Sequence, residues 1–151
     1  MKAVLVAYAT KSGSTAGVAQ AIGQELAGDE VHVDVHPIRE VDDLSSYDAV
    51  IVGGPMIMGW HREAVNFVVR HQQALSRVPV AYFLTALSLT LTTDGTLNGV
   101  HVYQDPSLAK SPKNQAKLSF KERYATVSSY LQPALNKAPQ VRPVSAAFFN
   151  G

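Results

Sequence analysis

Residues 3–17 read AVLVAYATKSGSTAG. The first six form a continuous apolar run of strand length, and such runs mark strands buried on both faces of a parallel sheet. Where the run ends, the chain turns to small and hydroxylated residues with a single lysine. Val18, Ile22 and Leu26 then recur at four-residue spacing with Ala19 beside them, which predicts an amphipathic helix ending near Gly28. Ser14 or Thr15 is placed to cap its first turn. Buried strand, glycine-bearing loop, helix: this opening unit sets the expectation of an α/β fold.

The same pattern repeats along the chain. Val31, Val33 and Val35 alternate with His32, Asp34 and His36, so this strand has one less buried face and belongs at a sheet edge. Pro37 ends it. AVIVGG (49–54) is a second buried run, followed by a glycine-rich loop and a helix marked by Ala64, Phe67, Val68 and Leu75. VPVAYFLTAL (78–87) is the next strand, its proline near the start, where a missing donor is tolerated. From Thr90 to Lys117 the pattern weakens: TTDGTLNG is turn-rich, VHVY reads as a short strand, and DPSLAKSPKNQAK is polar and basic. Phe120 to Leu135 is again helical through Tyr124, Val127, Leu131 and Leu135, with Pro133 expected to end or kink it. VRPVSAAFF (141–149) is a fifth strand. A doubly wound sheet normally covers that strand with a further helix, and the sequence stops first. The expectation is a missing final helix, through truncation rather than a partner that covers the face.

At 151 residues, the chain is expected to form one domain spanning 1–151. Apolar residues make up 46% and charged residues 17%, a globular profile. A net charge of +1 argues against nucleic acid as a partner. With no cysteine, disulfides, thiolate metal sites and cysteine nucleophiles are excluded. No histidine set has metal-ligand spacing, and no metal is expected. No run approaches a membrane span, and a cytoplasmic location is expected.

In open parallel sheets ligands sit beyond the carboxyl ends of the strands, so the segments after Tyr8, Gly54 and Leu84 are the ones to read for function. In the first, Gly13 permits backbone angles other residues resist, and the amides opening the helix form an anion cradle. Thr10, Ser12, Ser14 and Thr15 add hydroxyls without charge, and Lys11 is a further candidate contact. Four hydroxyls around one glycine exceed what a helix cap needs, which favours a phosphate monoester. A nucleoside-triphosphate loop would need Gly-Lys followed by Ser or Thr, and a dinucleotide fold Gly-x-Gly-x-x-Gly; both are absent.

The spacing Thr10-x-Ser12-Gly13-x-Thr15 after a first strand resembles the flavodoxin signature. The resemblance extends through YDAVIVGGPMIMGWHREAVNFV (47–68) and VSAAFFNG (144–151), and is nearest to the flavodoxin-like, menaquinone-dependent protoporphyrinogen oxidase group. It implies a flavodoxin-like doubly wound parallel five-stranded sheet of order 2-1-3-4-5 with FMN bound non-covalently. Thr10, Lys11, Ser12, Gly13, Ser14 and Thr15 would hold the FMN phosphate. Pro55, Met56, Ile57, Met58, Gly59 and Trp60 would border the isoalloxazine ring, and Ala86, Leu87 and Ser88 would lie along its other side. Trp60 has two readings, stacking on the ring or packing on the following helix. His61 either orients a substrate or simply opens that helix. The oxidase group carries Ile-Arg-Tyr-Gly in the second loop, where this chain has Met56-Ile57-Met58-Gly59.

Three functions follow as expectations: an FMN-dependent electron carrier or oxidoreductase, a protoporphyrinogen oxidase-type enzyme with a quinone acceptor, or a binding module that has lost flavin. The first two imply a redox partner protein or a small acceptor such as a quinone. Self-association into a homodimer is left open.

Overall fold

The structure is a computed structural model. It describes residues 1–9, 13–56, 59–86, 89–90, 96–97, 99–106, 109–110 and 127–150. Strand β1 (Lys2–Tyr8) leads to helix α1 (Ser14–Leu26) and strand β2 (Val31–Pro37). A 3-10 turn at Ile38–Glu40 precedes β3 (Ala49–Pro55), α2 (Arg62–Arg70), α3 (Gln72–Leu75) and β4 (Val80–Ala86). Short strands follow: β5 (Leu89–Thr90), β6 (Thr96–Leu97), β7 (Val100–Gln104) and β8 (Ala109–Lys110). Helix α4 (Val127–Lys137) and strand β9 (Ser145–Asn150) complete the order.

The main sheet runs β2-β1-β3-β4-β9-β7-β6, with β5 and β8 paired separately. Its first five strands are the expected 2-1-3-4-5 order, all parallel. The hairpin β6–β7 extends it past the fifth strand: β7 pairs parallel with β9 and β6 antiparallel with β7. β2 lies at an edge, as its alternation requires. Val33 and Val35 pack toward α1, while His32 and His36 are exposed.

Helices cover both faces. On one, Ala64, Phe67 and Val68 of α2 and Leu131 and Ala134 of α4 pack over Leu5, Val52, Tyr82, Leu84 and Phe148. On the other, Ala19 of α1 meets Val6 and Phe83, with Ile51, Ala147 and Phe149 around them.

Three local expectations need correction. The buried stripe of α1 is Thr15, Ala19 and Gly23, not the Val18–Ile22–Leu26 row, and Leu26 is 43% exposed. Small residues face the sheet because the helix lies close: a Cβ at Gly23 would meet Val35 Cγ2 at 2.6 Å. The α1 N-cap is Gly13 rather than Ser14 or Thr15. The single helix expected over 64–75 breaks at His71 into α2 and α3. Pro133 does not end α4 but lies inside it, at an exposed position, as the kink alternative allows.

Candidate functional site

The strand order reverses at β1, since β2 lies on one side of it and β3 on the other. Ligand crevices in such sheets open beyond the carboxyl ends of the strands at this switch. Here Ala9 N–H donates to the Gly53 carbonyl at 2.9 Å, holding the start of the first loop against β3.

Gly13 then turns the chain with φ of 89° and ψ of −19°, a left-handed conformation that favours glycine. Among the described residues, no atom comes within 4 Å of where its side chain would be. A glycine cap has no side chain to accept from the first amides of α1, and no acidic residue occupies that turn. The positive end of the helix dipole is therefore not neutralised from within the helix. Ser14 is exposed beside it. This end of α1 can accept an anion on main-chain amides and a neutral hydroxyl.

Thr15 is placed differently from its neighbours. It is 1% exposed, and its hydroxyl shares a 2.9 Å hydrogen bond with that of Thr85, which is 3% exposed. Both threonines are buried, each hydroxyl partnered by the other. Thr85 was not singled out by sequence. Its one signal was a hydroxyl inside the apolar strand run YFLTAL.

The second loop is a tight turn. Met56 and Trp60 form an antiparallel bridge, His61 N–H donates to the Pro55 carbonyl at 2.9 Å, and Gly59 takes φ of 125°. Pro55, Met56 and Gly59 are half-buried. Met56 N–H donates to the Thr85 carbonyl at 2.8 Å, tying this loop to β4. Ala86, where the third segment starts, is buried.

Trp60 takes the packing reading. It is 6% exposed and lies against Tyr82, ring centroids 4.8 Å apart and planes at 43°. Neither Trp60 Nε1 nor the Tyr82 hydroxyl has a hydrogen-bond partner among the described residues. Burial pushes the Tyr82 hydroxyl well above the ordinary tyrosine range. His61 is the N-cap of α2: its Nδ1 accepts from Glu63 N–H at 3.1 Å, which requires that nitrogen unprotonated.

The expected contacts Thr10, Lys11, Ser12, Ile57, Met58, Leu87 and Ser88 lie outside the described residues. Gly13, Ser14, Thr15, Pro55, Met56, Gly59, Trp60 and Ala86 lie at or next to the carboxyl ends of β1, β3 and β4. Two grooves occur elsewhere. One of about 450 Å³ is lined by Met1, Lys2, Asp29, Glu30 and Asp48, at the opposite end of the sheet. The other, about 300 Å³, lies between the 3-10 turn and α2, bordered by Arg39, Asp42, Glu63 and Arg70. Among the described residues, no group of three or more His, Asp or Glu side chains could hold a metal ion, and no helix is long and apolar enough to cross a membrane.

The family described as Flavodoxin domain matches residues 5–151. The chain belongs to the flavodoxin-domain family. No curated protein matches it. Solved structures do, at low identity. A short-chain flavodoxin associated with a non-canonical PDU bacterial microcompartment is 17% identical with a TM-score of 0.52, over 99% of this chain and 84% of that one. The apo form of an NADH:FMN oxidoreductase, EmoB, is 17% identical with a TM-score of 0.53, over 98% and 76%. Oxidised flavodoxin 2 from Bacillus cereus is 19% identical with a TM-score of 0.50, over 99% and 86%. These likenesses establish a flavodoxin-like fold.

Proposed function

We propose that this flavodoxin-domain protein binds FMN and acts through flavin redox chemistry. The observation that carries the reading is the N-terminus of α1. It starts on a left-handed glycine whose side-chain position meets no atom of the described residues, has no acidic residue in its first turn, and follows the strand at which the sheet order reverses. That arrangement suits a phosphate monoester: main-chain amides and a hydroxyl bind the dianion, and no carboxylate of that turn repels it. Family membership, and likeness to two flavodoxins and an NADH:FMN oxidoreductase, support flavin as the group attached to that phosphate.

The residues fit FMN in these roles. The amides of the α1 first turn, with Ser14 and the sequence-assigned Thr10 and Ser12, would hold the phosphate. The second loop, whose Pro55, Met56 and Gly59 are half-buried, and the segment after Ala86 would border the ring. When bound, the flavin supplies the electron chemistry, and the protein supplies orientation and electrostatics. Trp60 is committed to the core, so its part is to anchor the second loop by packing on Tyr82. His61 likewise serves the backbone of α2.

The electron acceptor is read as a partner protein or a small molecule such as a quinone. The purified protein, incubated with FMN and passed over a desalting column, is expected to retain flavin absorbance and to be reduced and reoxidised reversibly. A colourless eluate would refute the proposal. Turnover of protoporphyrinogen with menaquinone would assign the enzyme reading, and its absence in a yellow protein the carrier or small-substrate reading.

A further inference from the structure

Two buried threonine hydroxyls, from positions 70 apart in sequence, bond to each other. Thr15 is the second residue of α1, and Thr85 is the last but one of β4. The main chain at Thr85 also accepts from Met56, the first residue beyond β3. One residue therefore touches the helix that opens after the first loop and the start of the second loop, and it lies at the base of the third.

A buried hydroxyl without a partner is costly, so each threonine stabilises the position of the other. The Thr15 hydroxyl is held by Thr85, while Ser14 beside it is exposed. The main-chain amides of this turn point at one place in space only if the end of α1 does not slide along the sheet. The hydrogen bond to β4 opposes that slide.

We infer that Thr85 is a positioning residue for the phosphate group of the bound cofactor, acting through Thr15 to fix the amide cradle of α1 against the second and third loops; this rests on the FMN reading above. Preorganisation of this kind lowers the ordering cost of binding, and it does so for the phosphate specifically, because the ring is bordered by other residues.

The test compares FMN with riboflavin on the same protein by fluorescence titration, with thermal denaturation in parallel. Thr85→Val is expected to lose roughly tenfold in FMN affinity, about what one hydrogen bond to a positioned group contributes. Riboflavin affinity should change less than twofold. Thr85→Ser keeps the hydroxyl and is expected to restore FMN binding. The double variant Thr15→Val/Thr85→Val removes both hydroxyls at similar shape, so its melting temperature should return toward wild type. Its preference for FMN over riboflavin should stay reduced, which a purely structural pair would not do. A Thr85→Val protein with the wild-type FMN preference, or a double variant that regains it, would overturn the inference. If wild type binds neither flavin, the FMN reading itself fails, an outcome separate from these.

Discussion

At the scale of single residues, the sheet depends on a glycine whose role is volume. A Cβ at Gly53 would fall inside the Phe83 ring, which is 1% exposed and lies across β3 from the neighbouring strand. Gly53→Ala must therefore expel that ring. The expected cost is about 3 kcal/mol, the upper part of the usual overpacking range, read as a lower urea midpoint at unchanged slope. A second residue-scale feature is polar. The Tyr47 hydroxyl donates to Asp34 Oδ2 at 2.7 Å, and His32 Nε2 lies 2.7 Å from Oδ1. The Tyr47 bond, more than His32, holds the Asp34 carboxyl below its usual range against a smaller opposing effect of burial. Burial, then the Asp34 bond, pushes Tyr47 up to about 12. Asp34 then contributes stability above its ordinary value of 3.8 that is lost as pH falls through the lowered one. Tyr47 contributes stability below 10 that is lost as pH rises through about 12. Tyr47→Phe is expected to flatten both limbs of a melting temperature versus pH curve. Limbs unchanged from wild type would contradict this linkage.

At the scale of elements, what was legible followed from local pattern. β1, β3 and β4 are buried on both faces, and continuous apolar runs announced them. β2 is an edge strand, and alternation announced that. Contacts that depend on the partner element were not legible. The α1 stripe was misplaced because close packing on β2 selects Thr15, Ala19 and Gly23, whose small size looks unremarkable in sequence. Pro133 was expected to end or kink a helix; it does not end α4, which runs on to Lys137 with the proline at an exposed position. Trp60 had two readings that composition could not separate; the 4.8 Å contact with Tyr82 selects one. The element-scale prediction concerns α2. Its cap is a histidine nitrogen accepting from Glu63, an unusual choice where Ser, Thr, Asp or Asn are common. His61→Ala is expected to cost about 1 kcal/mol in urea denaturation, and His61→Asp to recover most of it. Equal stability of all three proteins would show that the cap contributes nothing.

At the scale of the whole molecule, alternating strands and helices announced a parallel sheet, and the order 2-1-3-4-5 followed from the flavodoxin resemblance of the first loop and residues 47–68. The extension beyond the fifth strand was not legible, because VHVY carries no mark of its neighbour. Only the folded chain places Val102 opposite Ala146 and Tyr103 opposite Ala147. That hairpin turns β9 from an edge into an interior strand. Beyond the sheet, Phe83, Phe149 and Tyr103 form an aromatic row on the α1 face, with centroid spacings of 6.4 and 6.0 Å. The N-terminus of α1, proposed above as the phosphate site, was singled out from local sequence. It depends on a glycine, a helix start and the absence of acid, all local properties. The clasp between Thr15 and Thr85 joins residues on separate elements, which no local window contains. The central claim is that this mouth holds the phosphate of FMN, and the most direct test is the wild-type affinity ratio of FMN to riboflavin at fixed salt. Charge-assisted bonds to the phosphate should make FMN bind at least roughly 100-fold tighter, since two such bonds suffice for that ratio. Equal affinity for the two flavins would contradict the claim.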